Sequence, residues 1–287
     1  MIEMKGSFWA ETLKMRKRPA MWIVAGVYLV LSQVFGYLIP YVSYLGDGEG
    51  GPGFAGAVPP EQLLADLVPA GLISNLLGGF PLFGGAIALI IGALVAGSEY
   101  GWGTLKTALT QRPRRMSVYG GKLVTVGLAV LALMLATFAV GAVWSGVIAS
   151  VESEPMSWPS AADLARGIAS GWLILATWSL VGVMLGVLFR GTSLAIGLGL
   201  VWVLVIENLV RGVAPLLSFV ESAQQWLPGV NAGSLVAALG AATVSEAGGT
   251  PGVTAAVSGP QAALVLIAYV VALALAAGLV LQRQDVT

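Results

Sequence analysis

The sequence lacks cysteine and histidine altogether. A disulfide, a thiolate or imidazole metal site and histidine-dependent catalysis are therefore excluded. It also lacks the G-x-x-x-x-G-K-[ST] motif, since Gly121-Lys122 is followed by Leu123, so the chain does not hydrolyse ATP in the P-loop manner. No nucleophilic triad or pair of carboxylates is visible in the sequence either. We predict no catalytic residue, no metal site, no cofactor in this chain and no nucleic-acid partner.

Charge is scarce as well. Only 10% of the 287 residues are Asp, Glu, Lys or Arg, whereas a soluble domain carries about 25%. What the sequence has instead is 57% hydrophobic residues and a mean hydropathy of +0.89, arranged in runs long enough to cross the roughly 30 Å hydrocarbon core of a bilayer. We predict a single all-α membrane domain over residues 1–287 with six transmembrane helices. The spans are expected at about residues 21–45, 71–97, 123–150, 167–189, 194–210 and 261–281.

Residues 1–20 predict an amphipathic helix that lies in the membrane interface before the chain turns inward at Pro19. The apolar side of its helical wheel holds Phe8, Trp9, Thr12, Leu13 and Met15, and the charged side holds Glu11, Lys14, Lys17 and Arg18. Arg16 falls on the apolar side but can snorkel to water. The alternative is a basic flank that only orients the first span. We expect no cleaved signal peptide, because the apolar segment that follows is too long and ends in no small-x-small cleavage pattern.

Small residues predict close contacts between the spans. In the second span Gly84, Ala88, Gly92 and Ala96 recur every four residues, a spacing that lets helix backbones approach each other in lipid. We expect this face to pack inside the subunit, with a dimer seam as the alternative. The fourth span holds a similar Gly182-xxx-Gly186 pair.

The connections have their own signals. Residues 46–60 are rich in Gly, Pro and acids and predict a solvated loop, followed by a short surface helix over 61–68. Residues 190–193 predict a very tight turn. Residues 211–260 predict a short interfacial helix over 214–226 that Pro228-Gly229 ends, and a loop at 248–252. A seventh span over 227–246 is the alternative, but its Pro, Asn and repeated Gly and Ser disfavour it.

The distribution of basic residues predicts the topology. Six spans place the great majority of the fourteen basic residues on one side, and leave Arg166 and Arg211 for the other. That side holds Lys5, Lys14, Arg16, Lys17, Arg18, Lys106, Arg112, Arg114, Arg115, Lys122, Arg190 and Arg283. By the positive-inside rule, we expect a multi-pass protein of the cell membrane with both termini in the cytoplasm.

Glu207 and Arg211 lie four residues apart near the outer end of the fifth span, where they can pair on one helix face. We interpret them as a structural ion pair, with a polar gate or substrate contact as the alternative. The predicted spans are otherwise nearly free of ionisable groups. This argues against a proton- or sodium-coupled carrier, which usually needs buried acidic or histidine side chains.

A basic segment from Glu99 to Lys122 stands between the second and third spans. Its features follow a fixed order: Glu99, then Gly103-Thr104-Leu105, a short helical stretch, the basic run Arg112-Pro113-Arg114-Arg115, and Lys122 at the next span. This order resembles the loop between the second and third spans of type-2 ATP-binding-cassette (ABC) exporter permeases. The resemblance extends over the chain: an N-terminal helix with a basic end, six spans, and a long connection with Trp226-Leu227-Pro228-Gly229 before the last span.

The resemblance implies that residues 98–122 form a coupling loop that docks on a separate ABC ATPase. The docking residues would be Glu99, Gly103, Thr104, Leu105, Lys106, Arg112, Arg114 and Arg115. It further implies ATP and Mg²⁺ bound by that partner, a second permease chain (identical or paralogous), and a partly re-entrant outer segment at 211–260. Transport would be outward, by alternating access.

The residues themselves leave alternatives open. Thr104 can cap a helix over 105–111, which favours docking, but the loop could serve only as a topological marker. The whole chain could then be a membrane scaffold or assembly factor, or, less in keeping with its composition, a secondary carrier. Apolar spans and nine tryptophans suit a hydrophobic or amphipathic cargo, as in multidrug efflux.

Overall fold

The computed structural model describes residues 2–46, 58–101 and 115–283, and within these ranges it holds helices and their connections but no strand. Six helices are long and apolar enough to cross a membrane, as predicted. They are α2 (Pro19–Leu45), α5 (Phe80–Tyr100), α6 (Arg115–Val151), α7 (Ala161–Leu188), α8 (Ser193–Leu216) and α11 (Gly259–Arg283). The others are α1 (Ile2–Lys17), α3 (Pro60–Leu67), α4 (Leu72–Gly78), α9 (Ser218–Gln224) and α10 (Pro228–Ala237).

Several boundaries differ from the predictions. The third span starts at Arg115 instead of 123, so part of the predicted loop 98–122 is helix and Lys122 lies two turns inside it. The second predicted span is divided: α4 ends at Gly78, Gly79 follows it, and α5 begins at Phe80 with Pro81 in its first turn. The predicted helix over 214–226 is a turn of 3₁₀ helix at Ala214–Leu216 followed by the short α9. Proline, which cannot donate the next helical hydrogen bond, stands at two of these breaks.

The interior is built on α5 and α7. In the most apolar part of α5, 78% of the residues are buried, and in that of α7 67%, against 17% in α2. A Cβ atom at Gly92 would collide with the carbonyl oxygen of Ser179, and one at Gly182 with that of Leu89. The two backbones therefore touch directly, which confirms that the small-residue face packs inside the subunit. Gly186 makes a similar approach to Gly97.

The segment that could have been a seventh span is the ten-residue helix α10, and nine of its residues are buried. Ten residues reach only about 15 Å, half of what a span needs. Pro228 occupies the first turn, where its missing N–H costs nothing. The helix packs on α11, α7 and α4, so it is a buried inner element between the fifth and sixth spans.

Candidate partner-docking site

The predicted docking loop is described only at its two ends. Gly103, Thr104, Leu105, Lys106, Arg112 and Arg114 lie outside the described residues, and their role stays a prediction. Glu99 lies in the last turn of α5, and Arg115 begins α6. Arg115 donates a hydrogen bond to the carbonyl oxygen of Gln282 at 3.2 Å, which ties this end of the loop to the last span.

The base of the loop is held by four charged side chains that we call the four-charge cluster: Glu11, Lys14, Glu99 and Lys122. Each lysine lies within ion-pair distance of both glutamates. Lys14 Nζ lies 2.7 Å from Glu11 Oε1 and 2.7 Å from Glu99 Oε1. Lys122 Nζ lies 2.7 Å from Glu99 Oε2 and 3.8 Å from Glu11 Oε2. The charges alternate in sign around a ring, so α1, α5 and α6 are joined at one point.

This cluster is mostly withdrawn from water. Glu99 is 2% exposed and Lys122 4%, and Lys122 Nζ also donates to the carbonyl oxygen of Val95 at 3.1 Å. Buried charges are tolerated only when paired, because an unpaired one would keep its full desolvation cost. Lys14 is the more exposed cation. Burial alone would lower the pKa of Lys14, but its hydrogen bonds to Glu11 and Glu99 outweigh that effect and raise the pKa above its usual value.

Two further contacts fasten α1 beside the loop. Arg18, the single residue between α1 and α2, donates to Ser98 Oγ at 2.6 Å and to the carbonyl oxygen of Leu94 at 3.2 Å. Gly121 of α6 lies against Ser7 and Phe8, so close that a Cβ there would come within 2.9 Å of the Phe8 nitrogen. The α1 helix is thus packed on the stem of the loop along much of its length.

This arrangement corrects the predicted orientation of α1. Glu11 and Lys14 were assigned to a side facing water, but Glu11 is 3% exposed and both point at α5 and α6. The partners that bury them, Glu99 and Lys122, come from distant parts of the chain, so a helical wheel of α1 alone could not show them. The exposed residues on α1 include Trp9 and Leu13 together with Arg16 and Lys17; an interfacial position for α1 stays a prediction.

At the second predicted polar site, Glu207 and Arg211 form an ion pair on one helix face, and Glu207 has further partners. Glu207 is 1% exposed. Its Oε2 lies 4.0 Å from Arg211 Nη2, at the outer limit of an ion pair. Its Oε1 accepts hydrogen bonds from the backbone N–H of Gly229 at 3.2 Å and from the Trp202 indole at 3.1 Å. A Cβ at Gly229 would collide with the carboxylate.

Glu207 therefore caps the first turn of α10, where unpaired N–H groups favour a negative charge. Sequence reasoning missed this contact. Pro228-Gly229 after Leu227 is itself a signal for a helix start, but the acid that caps it comes from 22 residues upstream.

Comparison with known proteins agrees with this architecture. A family model described as ABC-2 family transporter protein matches residues 7–206, from α1 to the turn of α8 just before Glu207. No curated protein matches the chain. The family match spans more than half of the sequence, and it includes all four members of the four-charge cluster. The chain therefore belongs to the ABC-2 transporter family, as a permease membrane component with six candidate spans.

Proposed function

We propose that this chain is the permease subunit of an ATP-driven exporter, which moves a hydrophobic or amphipathic substrate outward while a separate ABC ATPase supplies the energy. ABC-2 permeases generally pair with such an ATPase. Two permease chains, identical or paralogous, would form the pathway and alternate its access, and the ATPases would bind the ATP and Mg²⁺. Both termini and the loop at 98–122 would face the cytoplasm.

The observation that carries the proposal is the four-charge cluster. A partner that pushes on the loop must move the spans as a body, and a loose loop would absorb the push. Here Glu99, near one end of residues 98–122, is bound at 2.7 Å to Lys122 at the other end, and at the same distance to Lys14 of α1. Movement of the loop would therefore displace α1, α5 and α6 together.

Burial of charge also favours this function over a secondary carrier. Among the described residues, the buried acids are Glu11, Glu99 and Glu207. Glu11 and Glu99 are neutralised by lysines, and Glu207 accepts hydrogen bonds from Trp202 and Gly229. A coupling ion would have to displace these partners, whereas a carrier usually presents its acids to a water-filled path.

The docking proposal is tested by co-purification with an ABC ATPase encoded beside this chain. Arg112→Ala in the loop should weaken the association and the permease-dependent change in ATP hydrolysis. Arg166→Ala, at an exposed arginine of α7 whose side chain is 74% accessible, is the matched control and should change neither. Unchanged association in Arg112→Ala and Glu99→Ala together would show that residues 98–122 are not the docking element.

The orientation is tested by cysteine labelling, for which the absence of native cysteine provides a clean background. A membrane-impermeant maleimide added to intact cells should label Glu221→Cys in α9 and leave Lys17→Cys in α1 unlabelled until the cells are lysed. The reverse pattern would place both termini outside and refute the proposed topology.

A further inference from the structure

An apolar groove of about 510 Å³ lies under the elbow between α1 and α2. Its volume is within the range of roughly 300–1,000 Å³ typical of small-molecule sites. One wall is α2, where Met21, Ala25 and Leu29 recur every four residues and so share a face. The opposite wall is α6, from Thr125 to Ala136.

The groove is elongated. The stretch of α6 that lines it covers eleven residue steps, about 16 Å of helix. The helices α2 and α6 run in the same direction, because Tyr37 bonds to Ser145 at 3.0 Å and Tyr41 to Glu152 at 2.7 Å towards their C-terminal ends. The groove therefore follows both spans from the α1–α2 elbow towards the middle of the helices.

Arg16 is the charged member of the lining and stands at the elbow end. It is exposed, and the ion pairs found among the described residues do not include it. Trp22 lies beside it, 63% exposed, and its indole donates to the carbonyl oxygen of Arg16 at 2.8 Å. An exposed tryptophan next to a cation at the end of an apolar span is typical of the headgroup level of a bilayer.

We propose that this groove binds one acyl chain of an anionic phospholipid, with the phosphate held by Arg16. The dimensions and apolar walls suit a hydrocarbon chain, and the single cation at one end suits a phosphate ester, which arginine can bind through two parallel hydrogen bonds. The lipid would be a resident ligand that fills the space beneath α1 and so supports the helix that carries Glu11 and Lys14. This inference does not depend on the direction of transport or on its substrate.

The proposal is tested with a photoactivatable phosphatidylglycerol that carries a diazirine on its acyl chain. The full-length protein is reconstituted in vesicles of phosphatidylcholine containing this probe, irradiated, digested and analysed by mass spectrometry. Cross-links should concentrate on the peptides that line the groove in α2 and α6, and unlabelled phosphatidylglycerol should compete better than additional phosphatidylcholine. Cross-links spread evenly over exposed faces of α2, α8 and α11 would overturn the proposal.

Single substitutions distinguish the binding site for the acyl chain from the binding site for the phosphate. Ala132→Trp, which fills the groove, should abolish groove labelling, whereas Leu135→Trp on the exposed face of the same helix should retain it. Arg16→Gln should reduce labelling about fivefold, the effect of one basic residue at an anionic surface. Lys17→Gln should reduce it less, because the side chain of Lys17 does not line the groove and makes no direct contact with the bound phosphate. Wild-type labelling in Ala132→Trp, or equal losses in the two glutamine variants, would contradict the assignment. Arg16 is a surface residue, so this arm remains decisive if Ala132→Trp does not fold.

Discussion

Two buried glutamates, Glu99 and Glu207, lie in different polar environments of the protein. Glu99 is bound to Lys14 and Lys122, each at 2.7 Å. Glu207 accepts hydrogen bonds from an amide and an indole, with Arg211 only within 4.0 Å. The first carboxylate joins three helices through full opposite charges, whereas the second stabilises the start of one short helix. Although both glutamates are buried to a similar extent, their different ion-pair and hydrogen-bond partners give them different structural roles.

The largest effect is expected for Glu99→Ala. The substitution leaves Lys122 buried without its close acidic partner, and loss of one member of a buried pair costs about 3–5 kcal/mol. The measurement is the free energy of unfolding in mixed micelles, followed by circular dichroism as sodium dodecyl sulfate is added. Glu221→Ala, at an exposed acid of α9, is the control and should be nearly neutral. A loss below about 1 kcal/mol, as for a surface pair, would mean that the cluster does not hold the helices together.

A smaller and more local effect is expected for Glu207→Ala. The amide of Gly229 and the Trp202 indole would lose their acceptor, at about 1–3 kcal/mol for buried groups left unsatisfied. Hydrogen exchange should accelerate in α10 and leave α5 and α7 unchanged. Glu207→Gln, which keeps one carbonyl acceptor, should lose less than Glu207→Ala. Acceleration that extends over the whole protein would show that Glu207, like Glu99, supports the global fold.

A dependence on alkaline pH should distinguish the two sites further. The pKa of Lys14 is raised in the folded protein, because its hydrogen bonds to Glu11 and Glu99 outweigh the opposing effect of burial. The stabilisation that Lys14 supplies is complete below its unfolded pKa, near 10.5, and is lost as the pH rises through the higher folded pKa. The free energy of unfolding should thus fall less steeply above that pH in Lys14→Met than in the wild type. Identical slopes would remove Lys14 from the cluster.

The smallest effect is expected for Arg211→Ala. The guanidinium lies 4.0 Å from the carboxylate, beyond hydrogen-bond distance, and Glu207 keeps its two other donors in the variant. We therefore expect a loss of up to about 1 kcal/mol. Comparison with Glu207→Ala in the same unfolding assay would separate the cap from the ion pair. A loss in Arg211→Ala that equals the loss in Glu207→Ala would show that the ion pair, and not the cap, is the main contribution of Glu207.

What the sequence predicted correctly rests on local pattern. The six spans follow from long apolar runs, and the packing of the α5 small-residue face inside the subunit follows from glycine and alanine at every fourth residue. What it missed depends on contacts between distant residues. Glu11 was expected to face water because its buried partner, Lys122, comes from more than a hundred residues downstream. Glu207 was not recognised as a cap because the Gly229 amide that it accepts from lies 22 residues later. The start of α6 at Arg115 was missed because polar residues extend an apolar helix beyond the membrane without a break.

The four-charge cluster holds two lysines and two glutamates, so its formal charge is zero. A membrane potential performs about 2.3 kcal/mol of work on each elementary charge moved through 100 mV, but on a neutral group that moves as one body the contributions of opposite sign cancel. Movement of these four side chains as one body would therefore add nothing to the voltage dependence of the protein. The four-charge cluster can thus join α1, α5 and α6 without itself acting as a voltage sensor.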